Sequence, residues 1–403
     1  MLKTRPLILA LVVVAAVVCP LCMSPETLVA EEPSPYLSDR QRFGIGVVRT
    51  FAGITRFPGR ITDYPNVQDL GFGWYSDWWR AKQPTTYDDT VEYVQLLGTC
   101  VVPGYANWPP DWSAVAATAR ACPGSIWIIG NEPEHQWQGG NTPGAYAAIY
   151  HEAYHFLTGV DPTAQIAIGG VVQPTPIRLL WLERVLASYE TQFGEPMPVD
   201  IWNTHIQILC ETCGWGCGKP VGLEDEPGRA YEIKDSFSAQ IVQELVEDLR
   251  AWLVAHGQGD KPLIISEYGV LMPPSYFDPR DCCADCGAYA NGTEAVAGFM
   301  TRTFHYFMTR RDPVLGYSRD EGRLVQRWLW FSLNHPLLEP GPGSHPNGMG
   351  GALHYWDQPS ERTLFGDVYR DLTRFYTAEH RVCLPMVRVG LSPASASVDP
   401  PQP

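Results

Sequence analysis

Apolar positions along the 403-residue chain fall into two alternating kinds of segment. One kind is short, continuous, rich in Ile, Val and aromatic residues, and stops abruptly at polar residues. The other is longer and repeats its apolar residues at helical spacing. A strand covered on one face alternates, so the continuous kind reads as strands buried on both faces. This predicts strands at 43–49, 70–75, 100–105, 125–130, 165–171, 200–205, 263–267 and 325–331. The longer kind predicts helices at 87–98, 112–121, 143–158, 177–193, 235–256, 294–310 and about 360–377. Strand followed by helix, repeated about eight times, is the pattern of an α/β chain closed into a (β/α)8 TIM barrel. A doubly wound open sheet alternates in the same way, but no Gly-x-Gly-x-x-Gly follows the first strand. Between the first two strands only 63–71 hints at a helix. No linker, repeat or charge block interrupts 42–380, which reads as one catalytic-sized domain.

Two of these strands end in a manner that packing does not explain. The run Ser125-Ile126-Trp127-Ile128-Ile129-Gly130 leads into Asn131-Glu132-Pro133, and Pro262-Leu263-Ile264-Ile265-Ser266 leads into Glu267-Tyr268-Gly269. Each delivers a carboxylate at the carboxyl end of a buried strand, where a barrel gathers its chemistry. Two carboxylates from distant parts of a chain suit hydrolysis of a glycosidic bond, with one as proton donor and the other as base or nucleophile. Packing alone would make Glu132 a helix-entry residue and Glu267 an ordinary loop acid.

These two motifs, at the ends of the fourth and seventh strands, make the chain resemble the clan A glycoside hydrolases over roughly 42–377, nearest in feel to family 39-like bacterial barrels. The resemblance implies a retaining enzyme for a β-linked sugar. Glu132 would be the acid/base and Glu267 the nucleophile, with Asn131 binding the sugar 2-hydroxyl. It also implies that His205, ending the sixth strand, orients the nucleophile. Trp330, on the eighth strand, would floor the reacting subsite, and Tyr268 would join the substrate-binding set. Arg49, ending the first strand, is a candidate carboxylate binder, for the nucleophile or a substrate acid. Trp108, Asn107, Asp77, Trp78 and Trp79 follow the second and third strands and could line the cleft, or the tryptophans could simply pack. The rival readings are a catalytically silent carbohydrate-binding barrel and a metal-dependent barrel hydrolase. For the latter only His205 is well placed. His335, His345 and His354 read as surface residues in a Gly/Pro-rich stretch.

Composition narrows the partner. With 29 Lys plus Arg against 44 Asp plus Glu, the net charge is −15. That disfavours nucleic acid and an anionic membrane surface and suits a neutral oligo- or polysaccharide. The reaction calls for no cofactor and no metal. Lys3 and Arg5 precede the apolar run 7–18, so 1–24 reads as a signal peptide or N-terminal anchor and the protein as secreted or held at the cell surface. The stretch 25–41 reads as a flexible lead-in and 391–403 as a disordered tail.

Of the 11 Cys, Cys210, Cys213 and Cys217 form one cluster and Cys282, Cys283 and Cys286 another. Export favours disulfides that pin these loops. The spacing also allows a structural zinc site from Cys210, Cys213, Cys283 and Cys286. Cys100 and Cys122 could pair or remain thiols.

Overall fold

The computed structural model describes residues 38–85, 90–280 and 289–378. Strand β1 (Phe43–Gly46) lies parallel to β2 (Trp74–Ser76) on one side. Strand β2 pairs with β3 (Glu92–Tyr93), which continues past Val94 as β4 (Gln95–Leu97), so 92–97 is a single barrel strand. Then β4 pairs with β5 (Ile126–Asn131), and β5 with β6 (Gln165–Gly170). Bridges at Ala167–Ile201 and Val171–Thr204 join β6 to β7 (Trp202–Ile206). From there β7 pairs with β8 (Leu263–Tyr268), β8 with β9 (Arg327–Trp330), and β9 returns to β1. Every one of these pairings is parallel, and the ring of eight strand positions closes.

Helices follow the third to eighth strand positions. They are α1 (Trp112–Ala121), α2 (Pro143–Val160), α3 (Pro176–Phe193), α4 (Ala239–Ala255), α5 (Gly292–Thr309) and α6 (Leu364–Thr377). Their starts are written locally. Asp111, Thr142, Ser238, Asn291 and Thr363 each accept from a backbone N–H in the first turn, and Pro143 and Pro176 open two helices. After β1 there are only short 3₁₀ turns at 61–63 and 67–70. A hairpin of β10 (His354–Tyr355) and β11 (Gln358–Arg362) precedes α6.

Strand alternation divides the core into two layers. Trp74, Val94, Leu96, Ile126, Ile128, Ala167, Ile201, Ile264 and Leu329 fill the barrel. Their neighbours Trp127, Ile129, Leu263, Ile265, Trp328 and Trp330 point outward into the layer under the helices. This double burial is why the strands are continuous apolar runs. Truncating the inner Leu or Ile residues to Ala is expected to cost about 2–5 kcal/mol each.

Three expectations are corrected. The segment expected as helix, 87–98, contains the third strand, and the segment expected as that strand, 100–105, is a loop. Val91, Tyr93, Val94, Leu96 and Leu97 are all buried. A short run this apolar satisfies both periodicities, and only pairing with β2 and β5 decides. Loop 100–107 is held instead by Asn107, whose side chain accepts from the Cys100 N–H at 2.8 Å. The last helix also begins later than expected, because 358–362 belongs to the hairpin. The proposed leader, most of the lead-in, the tail and Cys282, Cys283 and Cys286 lie outside the described residues. Among the described residues no helix is long and apolar enough to cross a membrane.

Candidate active site

Glu132 directly follows β5, and Glu267 is the penultimate residue of β8, so both stand at the carboxyl rim of the barrel. With His205 of β7 they form one cluster in which a ligand atom from each lies within 4.8 Å of the other two.

Simple alternation along β8 would not produce this. Ile264 faces the barrel interior and Ile265 faces the helices, so Glu267 would face the helices as well. The register with β7 shifts here: Thr204 is opposite Ile265, but His205 is opposite Glu267. Ser266 is therefore an extra residue, a bulge that turns Glu267 into the barrel mouth and sends Tyr268 outward. Backbone strain gathers around the same point. Trp78, Glu132 and Ile208 have positive φ of 55°, 42° and 52°, and only Glu321 shares this among the described non-glycine residues. Such conformations cost about 1–3 kcal/mol each and persist where the surrounding structure enforces them.

The two carboxylates have different partners. Glu132 Oε1 lies 3.1 Å from His205 Nδ1. Glu267 Oε1 accepts from Gln207 Nε2 at 2.7 Å, and the Trp78 side chain is a second donor to this carboxylate. Burial pushes Glu132 up, but the His205 hydrogen bond and charge, with His135 and Arg178 farther off, outweigh it and hold Glu132 below the usual range. Burial pushes Glu267 up to about 7; the His205 charge opposes this, repulsion from Glu132 adds to it, and the donors Trp78 and Gln207 moderate it. Burial would lower His205, yet Glu267, Glu132 and Glu134 together hold it above its ordinary value. The trio thus shares its protons as one unit.

A buried ion network fixes the turn that carries Glu132. Glu134 is fully buried, and its Oε1 accepts from Arg178 Nε and from the Val172 N–H, both at 2.8 Å. Arg178, on α3 and also fully buried, pairs in addition with Glu211 and donates to the Gly218 carbonyl at 3.0 Å. The loop after β7 is thereby tied to the Asn131-Glu132-Pro133 turn.

Several expected roles change. His205 touches Glu132 rather than the nucleophile candidate. Trp330 is fully buried, donates to the Gly351 carbonyl at 2.7 Å and packs edge-on against Tyr268, so neither ring floors a subsite. The reason is alternation: Leu329 is the inward residue of β9. Trp78 is the aromatic beside Glu267. Trp108 packs edge-on against Trp112 of α1, in the layer under the helices. Arg49 does find a carboxylate, but it is Asp77 at 3.7 Å, with the guanidinium near the Trp79 ring at the rim. Asn131 is at the site, its buried Oδ1 without a partner among the described residues. His335 and His354 are buried rather than superficial.

Cys210 and Cys213 are joined in a disulfide, which removes two of the four sulfurs proposed for zinc. Cys217, Cys100 and Cys122 are thiols. Sequence reasoning did not find Gln207, Gly170, Glu134 or Arg178. The one available signal was Gln207, two residues beyond His205 and therefore on the same face of β7. Two open depressions of about 720 and 570 Å³ lie on the outer helices, lined in part by His305 and Tyr306 and by Arg184 and Gln192, away from the glutamates.

No protein-family model and no curated protein matches the chain. Solved structures do. One is a family 128 (GH128, subgroup II) endo-β-1,3-glucanase from Sorangium cellulosum, with 15% identity over 82% of this chain and 98% of that chain and a TM-score of 0.49. A second is a GH128 subgroup I endo-β-1,3-glucanase from Amycolatopsis mediterranei in complex with laminaritriose, at 16%, 82%, 99% and 0.45. A third is a GH128 subgroup III curdlan-specific exo-β-1,3-glucanase from Blastomyces gilchristii in complex with glucose, at 17%, 76%, 94% and 0.42. The family 39-like resemblance of the sequence is not confirmed by these structures.

Proposed function

We propose that the protein is a retaining glycoside hydrolase acting on a β-linked oligo- or polysaccharide, with Glu132 as acid/base and Glu267 as nucleophile. The observation that carries this is that one oxygen of each carboxylate lies within 4.8 Å of the other at the barrel rim. An inverting enzyme separates its carboxyls by about 6.5–9.5 Å to admit a water, whereas a retaining enzyme holds them about 5–5.5 Å apart. In the first step a Glu267 oxygen bonds to the anomeric carbon as the glycosidic C–O bond breaks, and Glu132 gives its proton to the departing oxygen. In the second, water attacks the anomeric carbon, Glu132 takes a proton from it, and the Glu267 ester bond breaks.

The working form follows from the shared protons. Below about pH 7 Glu267 holds a proton and cannot attack. Above that it is ionised, and one proton remains across the 3.1 Å contact between His205 and Glu132. When a sugar excludes water, the neutral arrangement of that pair is favoured over the ionic one, which places the proton on Glu132. His205 is then a positioning residue whose contact holds Glu132 in its neutral, protonated form.

The test is hydrolysis of aryl β-glycosides and a polysaccharide panel that includes β-1,3-glucan, with anomeric stereochemistry followed by NMR. Retention, and loss of turnover in Glu267→Ala with an unchanged fold, is expected; an inverted product rejects the double displacement. A second reading, a metal-dependent hydrolase, is favoured by the ligand chemistry of Glu132, His205 and Glu267. Activity that survives chelation decides against it. We propose also that the protein is exported, a reading supported by the apolar run 7–18 and by the Cys210–Cys213 disulfide. Localisation of the full chain in its native cells tests it.

A further inference from the structure

We propose that the outer surface of the barrel carries a binding site for a divalent transition ion of the zinc type, formed by His151, His155 and Glu195. It does not depend on the glycosidase reading. His151 and His155 are four residues apart on α2, so both imidazoles project from one face of the helix. Glu195 comes from the end of the neighbouring helix. Gly194, with φ of 75°, stops α3 in a left-handed turn and sends the next residue back toward α2. One ligand atom from each of the three lies within 4.8 Å of the others.

The details favour an ion over a simple ion pair. His155 Nε2 and Glu195 Oε1 are 3.9 Å apart, too long for a hydrogen bond. Two ligands at bond lengths of about 2.0–2.1 Å in a tetrahedron are about 3.4 Å apart, so a small side-chain adjustment suffices. His151 is already set as a metal-ligating histidine is. Its Nδ1 is 2.8 Å from the Tyr189 hydroxyl, which leaves Nε2 for the ion, and its ring lies flat on Phe193 at 3.6 Å. A hydrogen bond on the second ring nitrogen fixes ring orientation and tautomer in such sites. Two imidazoles and one carboxylate favour zinc, copper or nickel over magnesium or calcium, which take oxygen ligands. Water would complete the coordination. The ion would bridge α2 to the end of α3.

The test uses the whole protein, stripped of metal and with its free thiols alkylated, titrated with zinc by calorimetry and by thermal unfolding. One zinc is expected to bind and to raise Tm as its concentration rises, while magnesium does neither. His155→Ala and Glu195→Gln, both on exposed side chains, are each expected to weaken binding by about tenfold or more without altering Tm in the absence of zinc. Absence of binding overturns the proposal. So does binding that survives both substitutions but is lost in His205→Ala, which would place the ion at the glutamates instead.

Discussion

A Cβ placed on Gly170 would lie 2.6 Å from Cδ2 and 2.8 Å from Nε2 of His205. The imidazole lies against the end of β6, over Gly170, which has no side chain to block it, and contacts Glu132. Gly170 is not in the left-handed region, so its role is space and not backbone freedom. Gly170→Ala is expected to displace the ring, break the 3.1 Å contact and lower kcat by about 10–100-fold, the range of a lost proton-transfer geometry. The overpacking should cost about 1–3 kcal/mol of stability. In a His205→Ala background the clash with the ring is gone and only the Asn203 amide, 3.1 Å away, has to give, so Gly170→Ala should then cost little further activity. Equal losses in both backgrounds would show that Gly170 acts without His205.

The pH dependence of turnover follows from Glu267. Its carboxyl titrates at about 7, so kcat/KM should climb through that pH instead of through the ordinary carboxylate range near 4.5. Gln207 donates to the ionised form. Gln207→Leu removes that donor and should move the acid limb to still higher pH. A pH–rate profile of both proteins on one aryl glycoside reads this directly, and an acid limb near pH 4.5 in the wild type would show that burial does not control Glu267.

The same shift makes Glu267 a stability liability at neutral pH. A carboxyl raised in the folded state contributes stability that is fully present below its unfolded pKa and lost as pH rises through the folded value. Here that window runs from about 4.5 to about 7. Glu267→Gln cannot ionise. Its Tm should match the wild type near pH 4 and exceed it by a few degrees, about 5 °C, at pH 8. A constant difference across that range would mean that the substitution acts through packing and not through the charge.

The barrel and both catalytic candidates were legible because their signals are local. Ile126 to Ile129 and Leu263 to Ile265 are apolar on both faces, and each polar stop marks a carboxyl end. What the sequence concealed depends on register and on neighbours in space. Trp328 and Trp330 could be placed on one face, but which face is set by Leu329 packing inside the barrel. The Ser266 bulge, which aims Glu267, appears only in the pairing of β8 with β7. His205 was found as a strand-end residue, yet its partner was not, since nothing local distinguishes Glu132 from Glu267 as its neighbour. The swap of helix and strand around 92–105 came from a short apolar run whose period is ambiguous, and strand number survived it only because one strand replaced another.

Arg178 has the most demanding position outside the reacting pair. It sits between Glu134 and Glu211, and all three side chains are essentially buried. Arg178→Met would leave two carboxylates without their cation in a dry site, an arrangement that costs about 3–5 kcal/mol. In a chain of this length that corresponds to a fall in Tm of about 5 °C. Because Glu134 is two residues beyond Glu132, turnover should fall as well, even at temperatures where the fold survives. Arg178→Lys should recover little, because one ammonium cannot span both carboxylates as the guanidinium fork does. Adding Glu134→Gln and Glu211→Gln to Arg178→Met removes the uncompensated charges and should restore most of the lost Tm but not the lost turnover. If Arg178→Met alone leaves Tm within about 2 °C of the wild type, the network does not hold the Glu132 turn.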